Sequence, residues 1–406
     1  MAPNTVWCGM AMRLGLALLG LGLGPVWGQQ LLSAGGPVRM FTTDAATLDI
    51  GEVRNDLPCT VEPIKPALGF DLKFHSGYDV SVSLKDLAGA ENQLVMVFRV
   101  IPEGRDPVEF VQRLNVPAID ENTRGQAVLK GLFDVGEGKY HVEWLMRDRS
   151  ERVCTAFWDQ EASLPARDRE IALDIAAGTV LPVDEEQFKQ EAPVEREGPL
   201  NVKLIVNFAP QDAASASLQP SDTDGLCSIL RNIARERRIG KFTLVVYNMQ
   251  EQRVIYRQDD ASQIDFPAIG EALKSLNLGT VDLNRLNQKH GDSEFLAGLV
   301  TREITDEKKP DAVIFAGPKV TLDSGPMLDA LKPLGEVKAP VFYMNYELDP
   351  LMTPWRDAIG TAVHFLKGSE FTISHPRDLF FAWNEIIGRI VKSKVGRTST
   401  IAASSQ

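Results

Sequence analysis

The runs of this sequence richest in chemistry-bearing side chains are few and short. His290-Gly291-Asp292-Ser293 places a base, an acid and a hydroxyl side by side, and Asp212, Ser215 and Ser217 lie in a polar stretch from Pro210 to Ser221. Asp212, Asp292 and Ser293 carry the residue types of a hydrolase, where a hydroxyl attacks and neighbouring groups activate it. A triad is a geometry in space, so adjacency alone does not define one. Asp292 or Ser293 also suits the N-cap of a helix. A second cluster holds Tyr343, Tyr346, Glu347, Asp349 and Trp355.

Other chemistries lack their residues. The five histidines, His75, His141, His290, His364 and His375, show no ligand spacing, and His-Glu-x-x-His is absent. No Cys-x-x-Cys pair supports structural zinc. Gly136-Glu137-Gly138-Lys139 lacks the first glycine of a phosphate loop and ends in Tyr140, so it reads as a hairpin turn. No Gly-x-Ser-x-Gly elbow appears. Arg147-Asp148-Arg149, near Arg152, is the densest charged spot, and a strand-end turn accounts for it.

The chain has 406 residues and a formal net charge of −12, with 44% hydrophobic and 24% charged residues. That is enough length for two ordinary domains. The acidic balance disfavours binding to nucleic-acid phosphates. Residues 1–28 carry Arg13 and then an apolar stretch from Leu14 to Trp27, with small residues before Gln29-Gln30. This reads as a secretory signal, which implies a periplasmic or secreted protein with no membrane span in its mature form. An oxidising compartment permits a disulfide, and Cys59 with Cys154 is the natural pair; Cys227 sits on an apolar helix face as a buried thiol.

The elements fall into two patterns. From Cys59 to Asp174 apolar residues alternate with period two, as in Leu94, Met96, Phe98 and Val100 or Tyr140, Val142, Trp144 and Met146. Turn signals separate these runs, which predicts an antiparallel β-sandwich over 29–177. Residues 178–199 hold three prolines and an excess of acids, the composition of a solvated linker. From Leu200 strands alternate with helices: strands at Val202–Phe208, Phe242–Tyr247, Val254–Tyr256, Ala312–Ala316, Pro340–Met344 and Ala362–Leu366, and helices between them. The first of those helices is expected to start at Thr223 or Asp224 and stop at Gly240, and the last to follow Ser374. This predicts a doubly wound α/β unit with a mostly parallel sheet over 200–392, and a flexible tail over 393–406.

The order of elements after Leu200 resembles a von Willebrand factor A domain. Leu204-Ile-Val-Asn-Phe-Ala209 looks like its first strand, Phe242–Tyr247 and Arg253–Tyr256 like the next two, and Phe295–Thr301 with Asp311–Gly317 like the later helix and strand. The resemblance implies a divalent cation held by Asp-x-Ser-x-Ser at the end of the first strand. The matching positions here are Asn207, Ala209 and Gln211, without a carboxylate or hydroxyl, and Ala316-Gly317-Pro318 replaces the family's acidic turn. Hard cations need such oxygen donors, so no metal and no cofactor is expected. The whole layout looks like that of secreted bacterial proteins related to that domain.

The sequence therefore points to an exported, non-enzymatic protein-binding or scaffold protein. Its expected contact edge comprises Asn207, Gln211, Asp212, Asp292, Ser293, Tyr346, Glu347 and Asp349, because open α/β sheets bind beyond the carboxyl ends of their strands. An exported hydrolase using the Ser/Asp set and a cell-envelope structural component are the alternatives.

Overall fold

The computed structural model describes residues 30–32, 40–184, 186–212, 215–279, 291–305, 309–321, 324–335, 337–349 and 355–404. The expected signal segment and His290 lie outside the described residues.

A short strand β1 (Gln30–Leu31) and helix α1 (Thr42–Ile50) precede seven long strands. These are β2 (Cys59–Leu68), β3 (Phe74–Ser83), β4 (Asn92–Pro102), β5 (Val108–Val116), β6 (Gln126–Val135), β7 (Gly138–Arg147) and β8 (Val153–Ala162), followed by β9 (Val180–Pro182). They form two antiparallel sheets, ordered β1-β5-β4-β7-β8 and β2-β3-β6-β9. The period-two alternation puts one face of each sheet into a common core. Tyr78, Val80, Val82 and Phe133 of one meet Phe98, Phe110, Val142 and Trp144 of the other. Phe98 stacks on Phe110 at 4.8 Å between ring centroids, and Tyr78 meets Trp144 edge-on at 5.3 Å. Cys59 on β2 and Cys154 on β8 form a disulfide, stitching an edge of one sheet to an edge of the other.

The next elements alternate: β10 (Leu200–Asn207), α2 (Pro220–Arg235), β11 (Ile239–Asn248), β12 (Arg253–Ala261), α3 (Phe266–Leu273) and α4 (Gly291–Thr305). Then come β13 (Ala312–Gly317), α5 (Ser324–Leu331), β14 (Val341–Tyr346), α6 (Ala358–Phe365), β15 (Ser369–Ile373) and α7 (Pro376–Ser404). The sheet order is β12-β11-β10-β13-β14-β15, with every pairing parallel except β11 with β12. Both faces are covered, hence the near-continuous apolar strands. Val202, Leu204 and Val206 face Leu226, Leu230 and Ile233 of α2 and Ile386 and Ile390 of α7. Ile205, Val245 and Phe315 face Leu296, Leu299 and Val300 of α4 and Ile359 and Val363 of α6.

Four expectations need correction. Ala362–Leu366 is helical, within α6, and the strand follows at Ser369; Asp357 caps this helix through Gly360 N at 2.8 Å. The helix α2 begins at Pro220, because Gln219 and Asp222 close a capping box there, and it ends at Arg235, leaving Gly240 in β11. The tail from 393 remains helical to Ser404, with Lys394 Nζ donating to Pro199 O at 2.8 Å and pairing with Asp311 at 2.7 Å. Residues 178–199 are not a free linker. They supply β9, Phe188 packs on the core beside α2, and Glu191 pairs with Arg231 at 3.0 Å and Arg235 at 2.9 Å. Among the described residues, no helix is long and apolar enough to cross a membrane.

Candidate functional site

The chain runs outward from β10 to β12 and then returns to the other side of β10 as β13. Loops leaving β10 and β13 therefore diverge, and the crevice between them is where an open α/β sheet has room for a ligand. A cleft of about 460 Å³ lies there. Asn207, Pro210 and Gln211 line it from β10, Met249 from β11, Lys319 and Val320 from β13, and Tyr346 and Glu347 from β14. Asp292, in the first turn of α4, completes the wall.

Each of these side chains has a definite task. Gln211 Oε1 accepts from Leu348 N at 2.7 Å, tying the loop after β10 to the loop after β14. Tyr346 OH donates to Ser221 O at 2.6 Å while its ring packs where Gly225 of α2 leaves no Cβ. Asp292 accepts from Gln252 Nε2. Lys319 Nζ and Glu347 Oε2 form an ion pair at 2.9 Å, with both side chains only 10% exposed. Breaking such a pair strands a charge at a cost of about 3 kcal/mol.

Asn207 is fully buried. Its Oδ1 accepts from Met249 N at 3.1 Å, which fixes the amide orientation, and its Nδ2 has no acceptor among the described residues. Two more buried polar atoms without a partner sit near the same sheet end, Tyr247 OH on β11 and Asn345 Oδ1 on β14. Strand alternation places Asn207 with Ile205 and Asn345 with Tyr343, so both share the α4 and α6 face with Tyr247. A buried polar atom left unsatisfied costs about 1–3 kcal/mol, so three at one edge mark a place where stability has been given up.

Behind the cleft lies Asp357, which accepts from Val320 N at 2.7 Å and from Gly360 N at 2.8 Å, with Tyr343 OH at 3.2 Å. Burial pushes its carboxyl up to about 6 against these hydrogen bonds.

Of the residues expected from the sequence, Asn207, Gln211, Asp292, Tyr346 and Glu347 line the cleft. Asp212 and Asp349 are exposed and do not line it, and Ser293 is buried within α4. The Ser/Asp set of the hydrolase alternative is thus not brought to one point. Sequence reasoning missed Lys319, Asn345 and Asp357. Lys319 was visible only as one residue of a loop, and Asp357 carried a signal, an acid before Ala358-Ile359-Gly360, hidden by reading the following helix as a strand.

Two other polar places compare poorly with this cleft. Asp71, His75 and Asp134 lie close enough to suggest a metal. However, His75 Nδ1 faces Asp134 at 2.7 Å while Nε2 faces Asp71 at 3.0 Å, and Lys73 Nζ lies 3.2 Å from Asp134. Two ring nitrogens on two carboxylates hold an imidazolium, not a shared ion. Burial opposes that charge, yet the hydrogen bonds His75 donates to Asp134 and Asp71 raise it to about 10. A larger hollow of about 620 Å³ lies beside Tyr140, His141 and Asp159. Its groups are already matched, with His141 Nδ1 2.7 Å from Asp159 and Tyr140 OH donating to Gly136 O at 2.7 Å. Cys227 is buried, which pushes its thiol up to about 12 and leaves it unreactive.

No family model matches the sequence, and no curated protein matches it. Among solved structures the likenesses are faint. Northeast Structural Genomics Consortium target SoR45 is 14% identical over 28% of this chain and 91% of that one, with a TM-score of 0.18. Bacteroides uniformis beta-glucuronidase 2, covalently bound to cyclophellitol-6-carboxylate aziridine, is 8% identical over 76% of this chain, with a TM-score of 0.19. A glycosyl hydrolase family 2 member from Bacteroides cellulosilyticus is 10% identical over 77% of this chain, also with a TM-score of 0.19. The chain spans 38% of the length of each of these two glycosidases. Likenesses at this level carry no argument about fold or activity.

Proposed function

We propose that this is an exported, non-enzymatic protein-binding or scaffold protein. In this reading a β-sandwich over 29–177 carries a von Willebrand factor A-like domain over 200–392, whose cleft docks a partner protein without a metal. The strand order with a single antiparallel edge strand supports the resemblance. The observation that carries the reading is the make-up of the cleft. Where that family gathers oxygen ligands for a cation, the carboxylate of Glu347 is already paired with the ammonium of Lys319 and Asn207 points an amide donor. A resident positive charge next to a donor disfavours a divalent ion. The Ser/Asp set that a hydrolase would need is dispersed between a buried helix position and an exposed loop.

Calorimetric titration of the chain with magnesium and with manganese tests this. No saturable heat is expected. Tight binding that disappears in Glu347→Gln or Asp292→Asn would overturn the metal-free reading.

A further inference from the structure

The cleft's hydrogen-bonding pattern selects among ligand chemistries. Taken as the docking edge proposed above, it offers a donor that lacks a partner, Asn207 Nδ2, in a residue that is fully buried. The donor is not an artefact of amide orientation. Turning the amide over would set an N–H against Met249 N, which now donates to Oδ1 at 3.1 Å. The neighbouring Asn345 amide is fixed in the same way, its Nδ2 directed to Glu370 Oε1 at 3.4 Å, which leaves Oδ1 as an acceptor without a donor.

Charge narrows the choice. Among the described residues, the charged groups lining the cleft are Lys319, Glu347 and Asp292. The first two neutralise each other at 2.9 Å, and Asp292 leaves one negative charge, held by Gln252. A carboxylate ligand would satisfy Asn207 but meet this negative wall with no cation to spare. An ammonium ligand would suit the wall but leave the Asn207 donor facing another donor. An uncharged group with both an acceptor oxygen and a donor hydrogen meets both demands. The volume of about 460 Å³ exceeds that of a single water, whose share of the liquid is about 30 Å³, so a side chain fits.

We infer that the cleft binds a side-chain carboxamide, a glutamine or asparagine presented by the partner protein, with its carbonyl oxygen on Asn207 Nδ2 and its N–H groups on the acidic wall. Asn207 is the selecting residue and Gln211 holds the loop that frames it.

Three blocked amino acids serve as probes: the N-acetyl, C-methylamide forms of glutamine, glutamate and lysine. Each is titrated into the full chain while the ¹⁵N side-chain amide resonances are followed. The glutamine form is expected to shift the Asn207 amide and to bind at least about tenfold more tightly than the other two. Asn207→Asp keeps the acceptor for Met249 N and removes the donor, so the glutamine probe, followed in that variant on the Asn345 and Gln211 side-chain amides, is expected to bind at least about tenfold more weakly. If that variant does not fold, the ranking of the three probes on the unaltered chain still decides. Glutamate or lysine binding as well as glutamine would overturn the inference, as would an Asn207 amide that contacts only a bound water. Failure of the docking reading looks different: the glutamine probe binds, while a photo-cross-linker at Thr321 captures no protein in the native cell.

Discussion

The antiparallel half and the parallel half of this molecule solve the same problem in opposite ways. In the antiparallel half, Trp144, Trp158 and Gln160 hold the buried polar atoms that lack both hydrogen bond and ion pair among the described residues, and they lie along the paired strands β7 and β8 of one sheet. A covalent bond between Cys59 and Cys154 closes its sheets. The parallel half has no such bond. It covers both sheet faces with helices; of its buried polar atoms without a partner among the described residues, those of Asn207, Tyr247 and Asn345 lie at the carboxyl ends of their strands, while Asn201 Oδ1 lies at the opposite end of β10. Unpaired atoms within a closed sandwich core are what packing leaves behind. Those beside an open crevice at a topological switch point are what a binding site looks like before its ligand arrives.

The largest expected effect concerns the covalent closure. Replacing Cys59 and Cys154 by alanine frees a loop spanning 95 positions, and chain entropy puts the loss at about 4.7 kcal/mol. Chemical unfolding followed by tryptophan emission, with Trp144 and Trp158 reporting the antiparallel core, is expected to shift to lower denaturant. Tyr343 and Trp383 in the parallel half are expected to keep their protection. If both halves shift together, the contrast between them is wrong.

A smaller effect is expected at the Lys319–Glu347 pair. Lys319→Met leaves Glu347, 8% exposed, without its cation, at a cost of about 3 kcal/mol. Adding Glu347→Leu is expected to recover most of that loss, since a buried pair and an apolar pair are nearly equivalent. A double variant as unstable as the single one would mean that the pair is not the local charge balance. Asp357 gives a pH signature. Its folded-state value of about 6 lies above the ordinary 3.8, so the folded protein holds the proton more tightly. The stability this adds is complete below about pH 4 and is lost as pH rises through 6, a change of roughly 3 kcal/mol. Stability measured against pH is expected to show that decline, and Asp357→Asn to flatten it.

Much of the frame was legible because periodicity is a direct image of burial. Leu94, Met96, Phe98 and Val100 alternate because one sheet face is dry, and Val202 to Phe208 is continuous because both faces are. The errors fell where local and tertiary signals compete. Ala362 to Leu366 is apolar enough for either element, and only the Asp357 cap and the seating of Ile359 and Val363 on the sheet make it a helix. The acidic run around Glu191 looked solvated because its counter-charges, Arg231 and Arg235, stand some forty residues away. The position of the cleft followed from the topology rule, but its chemistry did not. Whether Asn207 Nδ2 finds an acceptor depends on how Met249 N holds its Oδ1 in space, and no spacing in the chain encodes that.

The smallest expected effect is the most local. Gln211→Ala removes the acceptor for Leu348 N. Leu348 is 42% exposed, so water replaces the lost bond and global stability is expected to fall by only about 0.5 kcal/mol. The loops after β10 and β14 would nevertheless lose this side-chain tie across the cleft mouth, and hydrogen exchange at Leu348 is expected to rise severalfold while the amides of β10 stay protected. That outcome would set the cleft apart from the sheet beneath it, as a lightly held edge on a rigid floor. Equal acceleration in β10 would mean that edge and floor open as one unit, and the gathered polar atoms would then be a weakness of the whole sheet and not a property of its binding end.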